Sequence, residues 1–212
     1  AFTNTYKLEP ATAAITAKKV LDGKALEAGK YTFKLTEVGG NNVELQATND
    51  ANGNIKFPEI TYDKEGTYIY KLKEVAGSEA GVTYDSTEHT VTVTVTENNA
   101  KLEAAVAGNN PTFTNSYKDY GVSYEFLSSN PAYPNLPKEV TDLLPADTNR
   151  YTSGTNVDAK QPAKTSVTVT EGTWTFEGYA ETNAQTVADK DLKFTGKWNF
   201  IPAPKYKVTY EF

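Results

Sequence analysis

The chain has 212 residues, a formal net charge of −6, and neither Cys nor Met. A hydrophobic fraction of 38% is enough for two modest domains with cores, and 14 Tyr with recurring Val and Thr favour strands. No basic run is present and no apolar stretch approaches the length of a membrane span, so we expect neither nucleic-acid binding nor membrane insertion. Without Cys, disulfides are excluded as the covalent ties of a β-rich protein.

The first segment with a clear period of two is Ile15–Leu21. Ile15, Ala17, Lys19 and Leu21 share one face of this predicted strand, and their apolar character indicates that the face is buried. A lysine in an apolar stripe is costly unless a partner neutralises it. The position of Lys19 therefore predicts polar partners elsewhere in the core.

Two further polar residues break the alternation in the same way. Glu74 ends the run Tyr68–Glu74 on the side that carries two Tyr and one Leu, and Asn115 lies between two aromatic residues of the same parity in Phe113–Tyr117. Parity leaves two interpretations open. The three side chains turn inward together, or they are strand-end residues that reach solvent.

Turn residues punctuate the rest of the first half at the spacing of a β-sandwich. His89, the single His, shares parity with Val91, Val93 and Val95 and is interpreted as structural. With no second His and no Cys, we expect no metal site, and no cofactor-binding motif is present.

The second half alternates more sharply. Aromatic residues of one parity recur in the segments 120–126, 174–176 and 194–200. Between the first two, Pro137 is suited to a first helical position, and an apolar stripe of Val140, Leu143 and Leu144 follows before Pro145. We interpret Trp174 and Trp198 as core anchors, with an exposed sugar-stacking role as the alternative.

Two internal echoes indicate repeats. FTNTY at 2–6 returns as FTNSY at 113–117, and YGVSYEF at 120–126 returns as YKVTYEF at 206–212. We interpret residues 1–6, which include Asn4, as the tail of a preceding repeat. Residues 206–212 complete the second domain or open the next repeat. We expect the chain to begin inside a longer polypeptide whose export signal and surface anchor lie outside it.

Residues 7–117 resemble the isopeptide-linkage domain of Gram-positive pilins and surface adhesins. The matching segments are ITAKKVLDGK (15–24), YTFKL (31–35), GTYIYKLKEV (66–75), GVTYD (81–85), HTVTVTV (89–95) and PTFTNSY (111–117). In that family a lysine of the first strand condenses with an asparagine of the last, helped by a buried glutamate. The resemblance assigns these roles to Lys19, Asn115 and Glu74, the residues that parity singles out.

The chemistry of such a trio follows from elementary principles. An amine attacks a carboxamide only when unprotonated, and burial lowers the pKa of Lys19 toward that form. Glu74 is expected to exchange protons with the amine and the leaving ammonia and to hydrogen-bond the amide oxygen. This is one self-reaction without turnover, so we do not expect an enzyme.

The second half resembles a SHIRT domain, the tandem repeat module of streptococcal surface proteins. The matching segments are YGVSYEF (120–126), LPKEVTDLLPAD (136–147), KQPAK (160–164), GTWTFEGY (172–179) and FTGKWNFIPAP (194–204). The resemblance implies an elongated, mainly β module with a short helix that acts as a rigid spacer. No Lys–Glu–Asn trio occurs at inward parity here, so we predict no cross-link in this domain.

The fold prediction is therefore mostly β. It comprises an immunoglobulin-like, CnaB-like β-sandwich at 7–118 and an elongated mainly β (α+β) domain with one short helix at 119–205. The predicted function is a stalk segment of an extracellular, cell-wall-anchored bacterial adhesin, monomeric, with neighbouring repeats as partners and any host receptor bound through another region. The alternatives are a module that binds a host protein or glycan, or part of a pilin shaft.

Overall fold

The structure, a computed structural model, describes residues 8–39 and 43–206. It divides into two compact units between Tyr117 and Lys118; the sequence predicted the division one residue later. The predicted repeat tail at 1–6, with Asn4, and residues 207–212 of the predicted terminal strand lie outside the described residues. No helix among the described residues is long and apolar enough to cross a membrane.

The first unit consists of strands. Their bounds are β1 (Ala11–Ala13), β2 (Thr16–Asp22), β3 (Thr32–Glu37), β4 (Glu44–Thr48), β5 (Asn54–Lys56), β6 (Ile60–Tyr62), β7 (Gly66–Glu74), β8 (Val82–Thr83), β9 (Glu88–Asn98), β10 (Lys101–Ala107) and β11 (Thr112–Tyr117). One sheet has the order β10-β9-β7-β3-β4 and the other β5-β2-β11-β8, while β1 pairs with β6. Every neighbouring pair of the five-stranded sheet is antiparallel, whereas β2 and β11 lie side by side in parallel.

The two sheets enclose one core. Alternate residues point inward, as Val91, Val93 and Val95 of β9 show, because successive side chains of a strand leave opposite faces. Phe33 from the five-stranded sheet meets Phe113 from the four-stranded sheet with ring centroids 5.1 Å apart. This unit is therefore a β-sandwich.

One prediction at the start of this unit needs correction. The segment 15–21 was expected to be the first strand, but β1 precedes it and pairs with β6. Ile15 is fully buried although it lies between the strands β1 and β2. Three residues are too few for periodicity to reveal a strand, so β1 depends on its partner strand.

The second unit contains one helix and six strands within the described residues. Their bounds are β12 (Val122–Ser128), α1 (Lys138–Thr141), β13 (Asn156–Asp158), β14 (Ser166–Val169), β15 (Gly172–Tyr179), β16 (Ala184–Thr186) and β17 (Leu192–Pro202). Four strands form a sheet of order β12-β17-β15-β14, and β13 pairs with β16. β12 and β17 are parallel, whereas β15 is antiparallel to both β17 and β14.

Aromatic residues and the helix form the core of this unit. Trp198 and Val140 are both fully buried, and Trp174 packs against Phe200 with ring centroids 4.9 Å apart. Both Trp are thus core residues, in agreement with the alternation. The prediction of a mostly β chain with one short helix is confirmed.

The helix is shorter than its apolar stripe. Pro137 is the N-cap residue rather than the first helical residue, and Leu144 is 43% exposed. After the helix, the N–H groups of Leu143 and Leu144 donate to the carbonyl oxygens of Val140 and Thr141, three residues earlier, as in a 3-10 turn. Pro145 contributes to the early end, because it has no N–H to donate to the Thr141 carbonyl and because Leu144, which precedes it, is disfavoured in the α region.

Candidate functional site

Three strands bring the predicted trio together. In the pairing of β2 with β11, Phe113 lies opposite Lys19, so Asn115 is two residues further along on the same face. Glu74 is the last residue of β7, in the opposite sheet. The site is therefore built across the sandwich, with the amine and the amide on adjacent strands and the carboxyl group facing both.

One carboxylate contacts both predicted reactants. Lys19 Nζ lies 2.9 Å from Glu74 Oε2, and Asn115 Nδ2 donates to Glu74 Oε1 over 2.8 Å. The exposed fractions are 1% for Lys19, 6% for Glu74 and 0% for Asn115. Of the two interpretations left open by parity, the structure shows the inward one.

The turn before β5 holds the lysine strand in place. Lys19 N donates to the Gly53 carbonyl oxygen over 2.6 Å, and Gly53 has φ +82°. A Cβ atom at this position would collide with the Lys19 carbonyl oxygen. Glycine satisfies both the positive φ and the close approach.

Aromatic rings surround the amine. Lys19 Nζ lies 4.9 Å from the Tyr31 ring centroid and 6.0 Å from that of Phe33. Burial lowers the pKa of Lys19; the hydrogen bond and charge of Glu74 and the charge of Asp85 act in the opposite direction without overcoming it. A lowered pKa favours the neutral, nucleophilic amine.

The carbonyl oxygen of Asn115 has a partner that the sequence analysis missed. The backbone N–H of Asp85 donates to Asn115 Oδ1 over 2.7 Å. Because a backbone N–H can only donate, it orients the amide with its oxygen toward Asp85 and its nitrogen toward Glu74. The expected contact of Glu74 with the amide oxygen was therefore wrong, since Glu74 accepts a bond from the nitrogen instead.

The carboxylate of Asp85 accepts two further hydrogen bonds from backbone N–H groups. Its Oδ1 accepts from Thr87 N and its Oδ2 accepts from Thr114 N, each over 2.9 Å. Burial alone would raise the pKa of Asp85, but these hydrogen bonds and nearby Lys19 hold it below its ordinary value. The available sequence signal is an Asp two residues before Thr87 in a loop, typical of a side chain that bonds its own turn.

Not every buried polar residue belongs to this site. Asn49 is 2% exposed, and its side chain bonds Tyr31 N, the Glu27 carbonyl and the Asp50 carbonyl. Its hydrogen-bonding groups thus join the connection between β2 and β3 to the one between β4 and β5, which indicates a structural role. In the described part of the second unit no Lys, Glu or Asn is buried.

The second unit has a cleft beside its helix. Its volume is about 630 Å³, and three aromatic residues line it: Tyr133, Trp174 and Phe200. Tyr133 is 39% exposed, and its ring centroid lies 4.4 Å from that of Phe200. Glu139 and Glu171 also line the cleft.

The fold and the site together define a class. The first unit is a β-sandwich with a buried Lys–Glu–Asn cluster, and the second is a β unit with an aromatic core. Family models agree: residues 15–118 match the Spy0128-like isopeptide containing domain, FctA, and residues 118–201 match the SHIRT domain. The chain therefore belongs to these two families, one in each unit.

Individual relatives are a pilin and domains of streptococcal surface proteins. A pilin from Streptococcus pyogenes serotype M1 is 27% identical over 198 residues, which cover 91% of this chain and 55% of the pilin, about half its length. SHIRT domain 10 from a streptococcal cell surface protein is 38% identical, covering 40% of this chain and 99% of that domain with a TM-score of 0.38. The major pilin from Streptococcus pyogenes is 16% identical, with coverages of 88% and 98% and a TM-score of 0.49.

Proposed function

We propose that this chain is a stalk segment of a cell-wall-anchored bacterial surface protein, stabilised by an isopeptide bond between Lys19 and Asn115. The observation that carries the proposal is the single buried carboxylate of Glu74 in contact with both the amine and the amide. An exposed ion pair would not favour the neutral amine that the reaction needs, since water would keep the amine charged.

The reaction balances within the three residues. Lys19 Nζ attacks Asn115 Cγ, the bond between Cγ and Nδ2 breaks, and ammonia leaves as the new amide forms. Glu74 accepts a proton from the amine through Oε2 and returns one to Nδ2 through Oε1, the two atoms in contact with these groups. Positioning by the fold replaces a bimolecular encounter. The product stays in the chain, so the reaction occurs once and the protein is not an enzyme.

The strand order supports a mechanical role. β2 and β11 are neighbours, and the sequence between Lys19 and Asn115 holds most of the first unit. A bond between them would carry a pulling force directly from one strand to the other. Relatives described as a pilin and as tandem repeats of a cell surface protein support a surface location with neighbouring repeats as partners. A pilin shaft is the variant of this function that the pilin relative favours.

Intact mass provides the direct test. We expect the folded chain to be lighter than its sequence mass by one ammonia, and Asn115→Ala and Glu74→Ala to have their full sequence masses. Lys18→Ala is the matched control, because Lys18 is the adjacent lysine but bonds Asn52 O and Asn54 Oδ1 instead of Glu74. It should still lose ammonia. A wild-type chain of full mass after prolonged incubation would contradict the proposal.

The cleft favours glycan binding as a second candidate function. A sugar ring has an apolar face that packs on aromatic side chains and hydroxyl groups that donate to carboxylates. Tyr133 provides a partly exposed ring, and Glu139 and Glu171 provide acceptors.

A glycan array tests this second candidate. We expect the wild-type chain to bind a defined set of glycans and Tyr133→Ala to weaken that binding about tenfold, the loss of one good contact. Leu127→Ala is the control, because Leu127 is similarly exposed at 43% but does not line the cleft. Equal binding by the wild type and Tyr133→Ala, or no binding by the wild type, would exclude this use of the cleft.

A further inference from the structure

The loop between β8 and β9 contacts the cluster through the backbone of Asp85. Among the described residues, the N–H of Asp85 is the one donor to Asn115 Oδ1, at 2.7 Å. Glu74 takes the nitrogen of the same amide. The amide is thus held at both ends, and its carbon lies between a carboxylate and a backbone N–H.

This donor faces the atom on which charge develops. When an amine adds to an amide carbon, the electrons of the C=O bond move onto the oxygen, here Asn115 Oδ1. A fixed backbone N–H about 2.7–3.1 Å from that oxygen stabilises the charge, as in an oxyanion hole. The Asp85 N–H already has this distance before any reaction.

The Asp85 carboxylate keeps the loop at this distance. β8 pairs with β11 only through Ser116 and Tyr117, so the ladder stops before Asn115. Beyond that point Asp85 Oδ2 accepts the bond from Thr114 N in place of a strand. Its Oδ1 closes the loop on Thr87 N. The side chain therefore ties the loop to the residue that precedes the reacting asparagine.

We propose that Asp85 is a positioning residue for the cross-link: its carboxylate clamps the loop to Thr114, and its backbone N–H thereby stabilises the oxyanion at Asn115 Oδ1. This inference depends on the isopeptide bond proposed above. The balance of protons and electrons in the reaction given above is unchanged, because the Asp85 N–H only donates a hydrogen bond. Glu74 still transfers the proton.

The charge of Asp85 provides a measurement, the pH dependence of the cross-linking rate, that a purely structural role would leave unchanged. Among the described residues, the amine of Lys19 contacts Glu74 on β7 and the ring of Tyr31 before β3. The charge of Asp85, after β8, also acts on it. The Asp85 charge favours the protonated amine, so its removal lowers the pKa of Lys19. Asp85→Asn loses the charge and keeps one acceptor oxygen, which can serve Thr114 N while the bond from Thr87 N is lost. Its pH–rate profile should move to lower pH.

The test follows ammonia loss by intact mass during cell-free synthesis of the full chain. At equal folded fraction, measured by protease resistance, Asp85→Ala should cross-link about 10–100-fold more slowly, the size of effect expected from misplacing a reacting group. Asp85→Asn should react near the wild-type rate, with its profile displaced to lower pH. Asp147→Ala is the matched control, since Asp147 accepts from Asn149 N in a turn of the second unit. It should leave the rate unchanged.

The possible outcomes distinguish the role of Asp85 from the isopeptide bond itself. A wild-type rate for Asp85→Ala overturns the role of Asp85 and leaves the isopeptide bond standing. A slower rate that only follows the folded fraction, with an Asp85→Asn profile that coincides with the wild type, also overturns it. A wild-type chain that never loses ammonia removes the bond itself, and the Asp85 role with it.

Discussion

Lys19→Ala is expected to lower the free energy of unfolding of the first unit by about 4–5 kcal/mol. The bond would close a loop of about 95 residues, and a cross-link of this length removes that much loop-closure entropy from the unfolded chain on the disulfide model. The melting temperature should fall by about 20–30 °C, as measured by calorimetry. An unchanged melting temperature would show that the bond is absent or irrelevant.

The loss of the bond must be separated from the loss of the ion pair. Lys19→Ala leaves Glu74 buried without its partner at 2.9 Å, which destabilises by itself. The double variant Lys19→Met with Glu74→Gln leaves neither a buried charge nor a bond, and it should still be about 4 kcal/mol less stable than the wild type. Stability close to that of the wild type would assign the loss to the uncompensated charge. Lys18→Ala is the surface control.

Pulling the chain by its ends should reveal the second large effect. With Lys19 bonded to Asn115, the residues between them cannot extend, which withholds roughly 300 Å at about 3.3 Å per residue. Single-molecule force spectroscopy of the wild type should lack this extension, and Asn115→Ala should restore it. The physical reason is that a covalent amide joins the neighbouring strands β2 and β11.

The second unit is an internal reference for this experiment. It has no buried Lys–Glu–Asn cluster among its described residues, so its own extension should appear in both chains. A wild-type trace that contains the extensions of both units would contradict the mechanical role. A trace that lacks the extensions of both units would indicate an unforeseen covalent cross-link in the second unit.

Periodicity predicted the parts of the fold in which many residues repeat one pattern. Val91, Val93 and Val95 are buried as their parity required, and so are Trp174 and Trp198. These predictions succeed because burial of apolar area is the dominant favourable contribution to folding, and a strand buries alternate residues.

Short elements were beyond the reach of the same reasoning. The polar stretch after the helix contains β13, whose Val157 is buried although its neighbours are polar. The helix α1 is only four residues long. In both cases a single buried side chain and a tertiary partner decide the conformation. A single apolar residue does not form a repeating pattern, so periodicity cannot detect the element.

The sequence by itself determined that the chain is mostly β and that Lys19, Glu74 and Asn115 share the parity of their apolar neighbours, because the pleat of a strand assigns every second side chain to one side. The tertiary structure decided that all three are buried. Only the tertiary structure decided which atoms meet. It placed Glu74 against the amide nitrogen, and it brought the Asp85 N–H to the amide oxygen. Every residue except proline has such an N–H, so nothing in the residue type indicates which one will reach the site, and only the path of the loop selects it.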